Sequence, residues 1–268
     1  MFRIATPISE LFDNSTDARA IMGESDCLEC RDASVNAVFP AQLLFHCEIQ
    51  PIHELGKEEF FYLAKIARTK MDLKLITFHA ASSCDKPYID GYMFQPKGRR
   101  YSRGKMLHNA SVNFSRIKAI FGREIKIALE NNNYYPTEAY QVVTDADFIR
   151  EIVYENDISF LFDAAHARVT AHNKKLAYED YKSHLPLDKM VQIHLCQSDI
   201  DKNGIAYDAH HLPGKEDWQE IKSLVLAYPG VEYLTIEFYK DKNKLINSLK
   251  KAKEIKNELS RASLRIEQ

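Results

Sequence analysis

Five short apolar runs along this chain each close on a histidine or a carboxylate. Leu-Ile-Thr-Phe leads into His79, Lys-Ile-Ala-Leu into Glu130, Ser-Phe-Leu-Phe into Asp163, Val-Gln-Ile into His194 and Leu-Thr-Ile into Glu237, with His166 three residues past Asp163. A strand of Ile, Leu, Val and Phe reads as buried on both faces, the pattern of a parallel sheet. A charge at the end of such a strand is costly unless something pairs with it. Its recurrence in five runs points to one shared site at one end of that sheet.

The spacing predicts eight strands, at 2–7, 27–31, 42–49, 73–79, 124–130, 159–163, 190–195 and 233–238. Amphipathic spacing near 3.6 predicts helices over 57–69, 103–121, 145–155, 215–227 and 242–259. Strands alternating with helices imply parallel strands joined by right-handed crossovers. Eight units make a (β/α)8 barrel, an α/β fold that commonly occupies about 250 residues as one domain, so the 268 residues are read as a single barrel domain over 1–268. The link at 33–41 is too short for a crossover helix: either that helix is missing or one flanking strand is misread. An open doubly wound sheet ranks second, because no G-x-G-x-x-G follows the first strand.

Composition removes several partner classes. The formal net charge is −2 and no long basic block occurs, so nucleic acid is not expected as a partner. No run approaches the ~20 apolar residues of a membrane span, and the start, Met-Phe-Arg-Ile-Ala-Thr-Pro, lacks a secretory pattern. Five cysteines, an odd number, fit a reduced cytoplasmic protein.

Active sites of such barrels lie at the C-terminal ends of the strands, where His46, His79, Glu130, Asp163, His166, His194, Asp208, His210 and Glu237 would converge. Mixed carboxylate and imidazole donors suit iron, manganese or zinc better than Cu(I) or an iron–sulfur cluster. Nine donors exceed what one ion takes, so two or three ions sharing bridging carboxylates are expected. Each piece also has a plain reading: D-x-x-H and D-x-H recur by chance, Glu130 could be a buried acid bonded to backbone, and His46 between Phe45 and Cys47 could be core. No cysteine joins the set. Cys27 and Cys30 form C-x-x-C inside a strand, without a second pair or a helix N-terminus to make them a redox or zinc site; Cys84 and Cys196 lie near the proposed ligands and could face the site, with a structural role ranked first. The basic stretch from Lys97 to Lys105 beside Tyr92, Phe94 and Tyr101 reads as a solvated loop, with a substrate-docking lid as the alternative. Asn131, Asn132 and Asn133 either orient a ligand or form the loop after Glu130.

The stretches Leu129-Glu130-Asn131, Asp163-Ala-Ala-His166, Ile193-His194-Leu195, Asp208-Ala-His210 and Ile236-Glu237 resemble the metal-site signatures of the xylose-isomerase-like barrel superfamily, which includes the trinuclear zinc enzyme endonuclease IV. The segment from Leu185 to His194, followed by Asp208-Ala-His210-His211-Leu212-Pro213 and Trp218, is more closely similar to the multinuclear non-haem iron-dependent oxidative enzymes of the methanobactin-biosynthesis type. The resemblance runs from about residue 40 onward and is specific in the second half. The chain departs from it in carrying His166 where many members have Asn, and in lacking the Gly-rich segment around His46. The resemblance implies two or three irons, O2-dependent oxidation of a cysteine in a ribosomally made peptide, and a partner protein that presents the peptide. It also implies Glu130, Asp163, His194, Asp208, His210 and Glu237 as core ligands, completed by His46, His79 and His166. The competing class is a zinc- or manganese-dependent hydrolase or isomerase using the same donors; a barrel that has lost its metal is disfavoured by the intact set.

Overall fold

The structure is a computed structural model, and it describes residues 2–266 with side chains through Arg261. Eight parallel strands close into a barrel: β1 (Arg3–Pro7), β2 (Cys27–Arg31), β3 (Gln42–Cys47), β4 (Leu75–Phe78), β7 (Lys126–Glu130), β8 (Ser159–Asp163), β9 (Met190–Leu195) and β12 (Tyr233–Ile236). Around the barrel they run β1-β12-β9-β8-β7-β4-β3-β2, with β2 returning to pair with β1. The remaining strands form two hairpins, β5 (Tyr88–Asp90) with β6 (Met93–Gln95), and β10 (Gln197–Ile200) with β11 (Ala206–His211). The helices are α1 (Ser15–Glu24), α2 (Lys57–Thr69), α3 (Arg103–Phe121), α4 (Ala146–Glu155), α5 (Ala164–Lys174), α6 (Tyr178–His184), α7 (Lys215–Ala227) and α8 (Lys242–Ile266).

All eight expected barrel strands form, and none was misread. The short link resolves in favour of the missing helix: β2 passes to β3 through a single 3-10 turn, Asp32–Ser34, and a loop. Strands expected to include their terminal charges stop sooner, so His79 and Glu237 lie just past β4 and β12.

The core divides between the two faces of the barrel wall. Outside it, Phe45, Phe78, Phe160 and Phe162 of the strands are fully buried with Phe114 of α3 and Phe148 of α4. Burying one such side chain contributes about 1.5–3 kcal/mol. Inside, Ala5, Cys27, Leu44, Leu75 and Ala128 form a small apolar floor. Strand side chains repeat with period two on one face, so each step up from that floor reaches the residue two further on. From Cys27 the steps reach Glu29 and Arg31; from Leu44, His46; from Ala128, Glu130. The interior thus turns from apolar to polar toward the strand C-termini. Parallel register then sets neighbours: Asp163 lies beside His194, Arg31 beside His46, and His46 beside Thr77. No helix among the described residues is long and apolar enough to cross a membrane.

Candidate metal centre

Glu130 closes β7 in the middle of the strand C-terminal face and is 1% exposed. Its Oε2 lies 2.9 Å from His79 Nδ1 and 3.6 Å from His46 Nε2. Its Oε1 lies 3.4 Å from His194 Nδ1 and 3.7 Å from His166 Nδ1. One carboxylate therefore faces four imidazoles. Asp163 Oδ2 is 3.9 Å from both His166 Nε2 and His194 Nδ1. Asp208 Oδ2 is 3.4 Å from His166 Nε2 and 3.2 Å from His210 Nε2. Glu237 reaches His194 Nδ1 at 3.2 Å and His210 Nε2 at 3.5 Å. All nine residues singled out from the sequence stand in this one chain of contacts.

Local structure explains how they are held. Asp163 ends β8 and caps α5, its Oδ1 accepting the His166 N–H at 2.7 Å; this makes D-x-x-H a strand-to-helix turn with both side chains facing the centre. Asn131 clamps the two strand ends, exchanging hydrogen bonds of 2.9 Å with the Asp163 backbone, and its carbonyl stands 3.0 Å from His166 Nδ1. Asp208 and His210 arrive on the hairpin strand β11, outside the barrel wall. His210 has φ +44, in the left-handed region. A non-glycine residue there costs of order 1–3 kcal/mol, and such strain gathers at functional sites. The two hairpins meet above the centre, where Tyr92 stacks on Tyr207 at 5.0 Å and donates to Asp201 Oδ2 at 2.8 Å.

The residues fit a metal. Glu130 Oε2 and Asp163 Oδ2 are buried and accept no hydrogen bond, although His79 Nδ1 stands 2.9 Å from the first as an ion-pair neighbour; a buried oxygen left so costs about 1–3 kcal/mol or more when charged. Donors from His46, His79 and Glu130, and from Glu130, Asp163 and His166, lie within 4.8 Å of one another, so adjacent sets share Glu130. A cation between them would satisfy both orphaned oxygens.

Three further residues join this site: Cys196, ranked as structural from the sequence, and Glu29 and Arg31, which the sequence reading missed. Cys196 Sγ lies 3.3 Å from Asp208 Oδ1 and completes sets with Asp208 and His210 and with Asp163 and Glu237. Burial, with Asp208 and Asp163 beside it, pushes its thiol well above the ordinary value. Glu29 and Arg31 rise from β2: Arg31 pairs with Glu29 at 3.1 Å and with Glu237. Their signal was a carboxylate and a guanidinium alternating on one face of a buried strand. Cys27 and Cys30, by contrast, are free and buried, with burial raising them to about 12 and about 11, so neither is a ready thiolate. The basic stretch is ion-paired at the surface, Arg99 to Glu54 at 2.6 Å and Arg100 to Glu138 at 2.9 Å, and stands apart from the cluster.

Electrostatics divide the histidines. Burial and neighbouring His79 keep His46 well below its ordinary value, and burial brings His210 down to about 4. Burial opposes protonation of His166 and His194 too, but Asp163 and Glu130 hold His166 well above its ordinary value, and Glu29 and Glu130 bring His194 up to about 9. Burial pushes Asp163 up to about 6 despite His166 beside it, whereas His46, His166 and His79 overcome burial and hold Glu130 low. Without metal, then, protons on His166 and His194 balance the acids, and a metal must displace them. His194 is raised from 6.5, so it stabilises the metal-free fold fully below that pH, and the contribution is lost as pH passes about 9. Metal binding strengthens over the same window. Added Mn(II) should therefore raise Tm more near pH 9 than near pH 6.5; equal shifts would rule out proton–metal exchange here.

A closed parallel barrel with a carboxylate–imidazole cluster at its strand C-termini defines the class, a barrel enzyme with a candidate multi-metal centre. Within it, the chain belongs to the family described as RiPP precursor modification enzyme MbnB/TglH/ChrH, whose model matches residues 102–260. That stretch carries Glu130, Asp163, His166, His194, Asp208, His210 and Glu237, while Glu29, Arg31, His46 and His79 precede it. The chain is also 25% identical over 125 residues to a UPF0276 protein of Acaryochloris marina, covering 47% of this chain and 44% of that protein. A UPF0276 protein of Nitrosospira multiformis is 28% identical over 87 residues, 32% of this chain and 31% of that one. These matches span less than half the length of either relative. Among solved structures, a D-tagatose 3-epimerase-like protein superposes with TM-score 0.60 at 15% identity, covering 98% of this chain and all of that one. The apo 3-keto-D-glucoside 4-epimerase YcjR of E. coli gives 0.59 at 15%, covering 96% of this chain and all of that one. Both share the xylose-isomerase-like barrel fold.

Proposed function

We propose that the chain is a multinuclear non-haem iron oxidase that uses O2 to modify a cysteine in a ribosomally made peptide. The observation that carries the metal reading is the pair of buried carboxylate oxygens without a hydrogen bond, Glu130 Oε2 and Asp163 Oδ2, set among four imidazoles. His46, His79, Glu130, Asp163, His166, His194, Asp208, His210 and Glu237 would hold the ions. Two or three ions are expected, and charge balance favours two once the His166 and His194 protons have left. Glu29, Glu130, Asp163, Asp208 and Glu237 bring five negative charges and Arg31 one positive; five minus one leaves four, which two divalent ions cancel. When bound, iron would supply O2 reduction and a seat for the substrate sulfur.

The chain's own residues do the rest. Glu130 spans the middle of the centre and belongs to two adjacent donor sets, so it would help hold the ions of both. Tyr92 and Tyr207 stack where the two hairpins meet and tie them together. A partner protein presenting the peptide would dock on this face. The five cysteines are all free, which suits the reducing cytoplasm. Family membership favours peptide modification over the alternative, a zinc or manganese hydrolase or isomerase, which would use the same donors. The test is anaerobic, iron-replete purification followed by O2-uptake assays with a cysteine-containing precursor peptide. Peptide-dependent uptake with a changed cysteine mass supports the reading. Colourless protein with stoichiometric zinc and activity on a phosphodiester or sugar would replace it with the alternative.

A further inference from the structure

Glu29 has donors on both carboxylate oxygens, unlike Glu130 and Asp163. Its Oε1 accepts from Arg31 Nε at 3.3 Å and Nη2 at 3.1 Å. Its Oε2 accepts from Gln192 Nε2 at 2.7 Å and stands 2.9 Å from His194 Nε2, with Thr235 Oγ1 at 3.4 Å. Glu29, His194 and Glu237 have the spacing of a metal site, but Glu29 has no oxygen to spare for one. β1 and β12 separate β2 from β9, so the Glu29–His194 contact crosses the barrel interior, below the ring of candidate ligands.

The contact fixes which His194 nitrogen keeps its proton once the ring is neutral. Were Nε2 a bare lone pair, it would face a carboxylate oxygen at 2.9 Å in a fully buried site, and the two would repel. Gln192 Nε2, at 3.0 Å from His194 Nε2, could donate to such a lone pair, but the full charge on Glu29 outweighs a neutral amide dipole. Protonated Nε2 leaves Nδ1 facing Glu237 Oε1 at 3.2 Å, Glu130 Oε1 at 3.4 Å and Asp163 Oδ2 at 3.9 Å. We propose that Glu29 is a positioning residue: it holds His194 in the tautomer that turns Nδ1 to the centre, and Arg31 clamps Glu29 in place. The proposal rests on the metal reading above. Metal-bound histidines commonly donate their far N–H to a carboxylate, and losing that partner weakens metal binding about 10–100-fold. Arg31 bonds Glu29 and Glu237 at once and lies 5.8 Å from the Tyr239 ring centroid, so it ties the positioning carboxylate to the candidate ligand set.

The direct test uses wild-type protein with 15N-labelled histidine, loaded with zinc. His194 should show zinc at Nδ1 and a proton at Nε2; zinc at Nε2 would overturn the proposal. Glu29→Gln supplies the second arm. Its amide keeps the shape but removes the charge, so zinc affinity by chelator competition should fall about 10–100-fold, and the single His194 tautomer should give way to a mixture. Affinity within about twofold of wild type would overturn the proposal. If the variant fails to fold, the wild-type spectrum decides. Wild-type protein that takes up no zinc removes the metal reading itself, an outcome distinct from zinc bound through Nε2.

Discussion

Glu130→Gln should empty the centre of metal while the barrel stays folded. Among the described residues, Glu130 is the one carboxylate that faces four histidines, with both oxygens turned inward. An amide presents one acceptor and one donor, so the Oε2 side, which holds no hydrogen bond now, would meet a metal with N–H or lose its charge. Losing a partner in the outer shell already costs about 10–100-fold in affinity. Loss of the residue shared between ions should exceed about 100-fold, with activity lost in parallel. The apolar core between strands and helices is untouched, so far-UV circular dichroism should match wild type. Metal content above half of wild type would remove Glu130 from its central place.

Phe114→Ala should do the reverse. Phe114 is fully buried in α3 and meets Phe78 of β4 edge-on, with ring centroids 6.1 Å apart. Deleting a buried phenyl costs about 3–5 kcal/mol, through lost burial plus the cavity left behind. Thermal or urea unfolding should register that loss, while metal content per folded chain at low temperature stays at the wild-type level, because none of the nine candidate ligands belongs to this contact. A stability change under about 1 kcal/mol would show that the wall of the barrel relaxes into the cavity.

The barrel was legible because strands buried on both faces leave continuous apolar runs, and because a charge ending such a run is conspicuous. Glu130 and Asp163 were found that way. Glu29 was not: it sits inside β2 between Leu28 and Cys30, and only period-two alternation with Arg31 marks the face it shares. The hairpin that brings Asp208 and His210 left a usable cue in Asn203-Gly204, with Gly204 at φ +80 and the Asp201 side chain accepting from Asn203 and Ile205. Its strands are short and polar, so no apolar run announced them. α5 also escaped, because Ala164, Ala165, Ala167, Val169 and Ala171 are buried all round it and leave no amphipathic stripe. α1 buries only Ala18 and Ile21; its cue was Asn14, whose side chain accepts from Thr16 and Asp17 as an N-cap.

Elemental analysis of protein purified without oxygen after iron-replete expression shows whether the cluster holds iron. Once the protons on His166 and His194 have left, four negative charges and two carboxylate oxygens without a hydrogen bond remain, enough for about two divalent ions per chain. Iron should stand at about two or more per chain and fall to near zero in Glu130→Gln. A wild-type content near zero would contradict the iron reading.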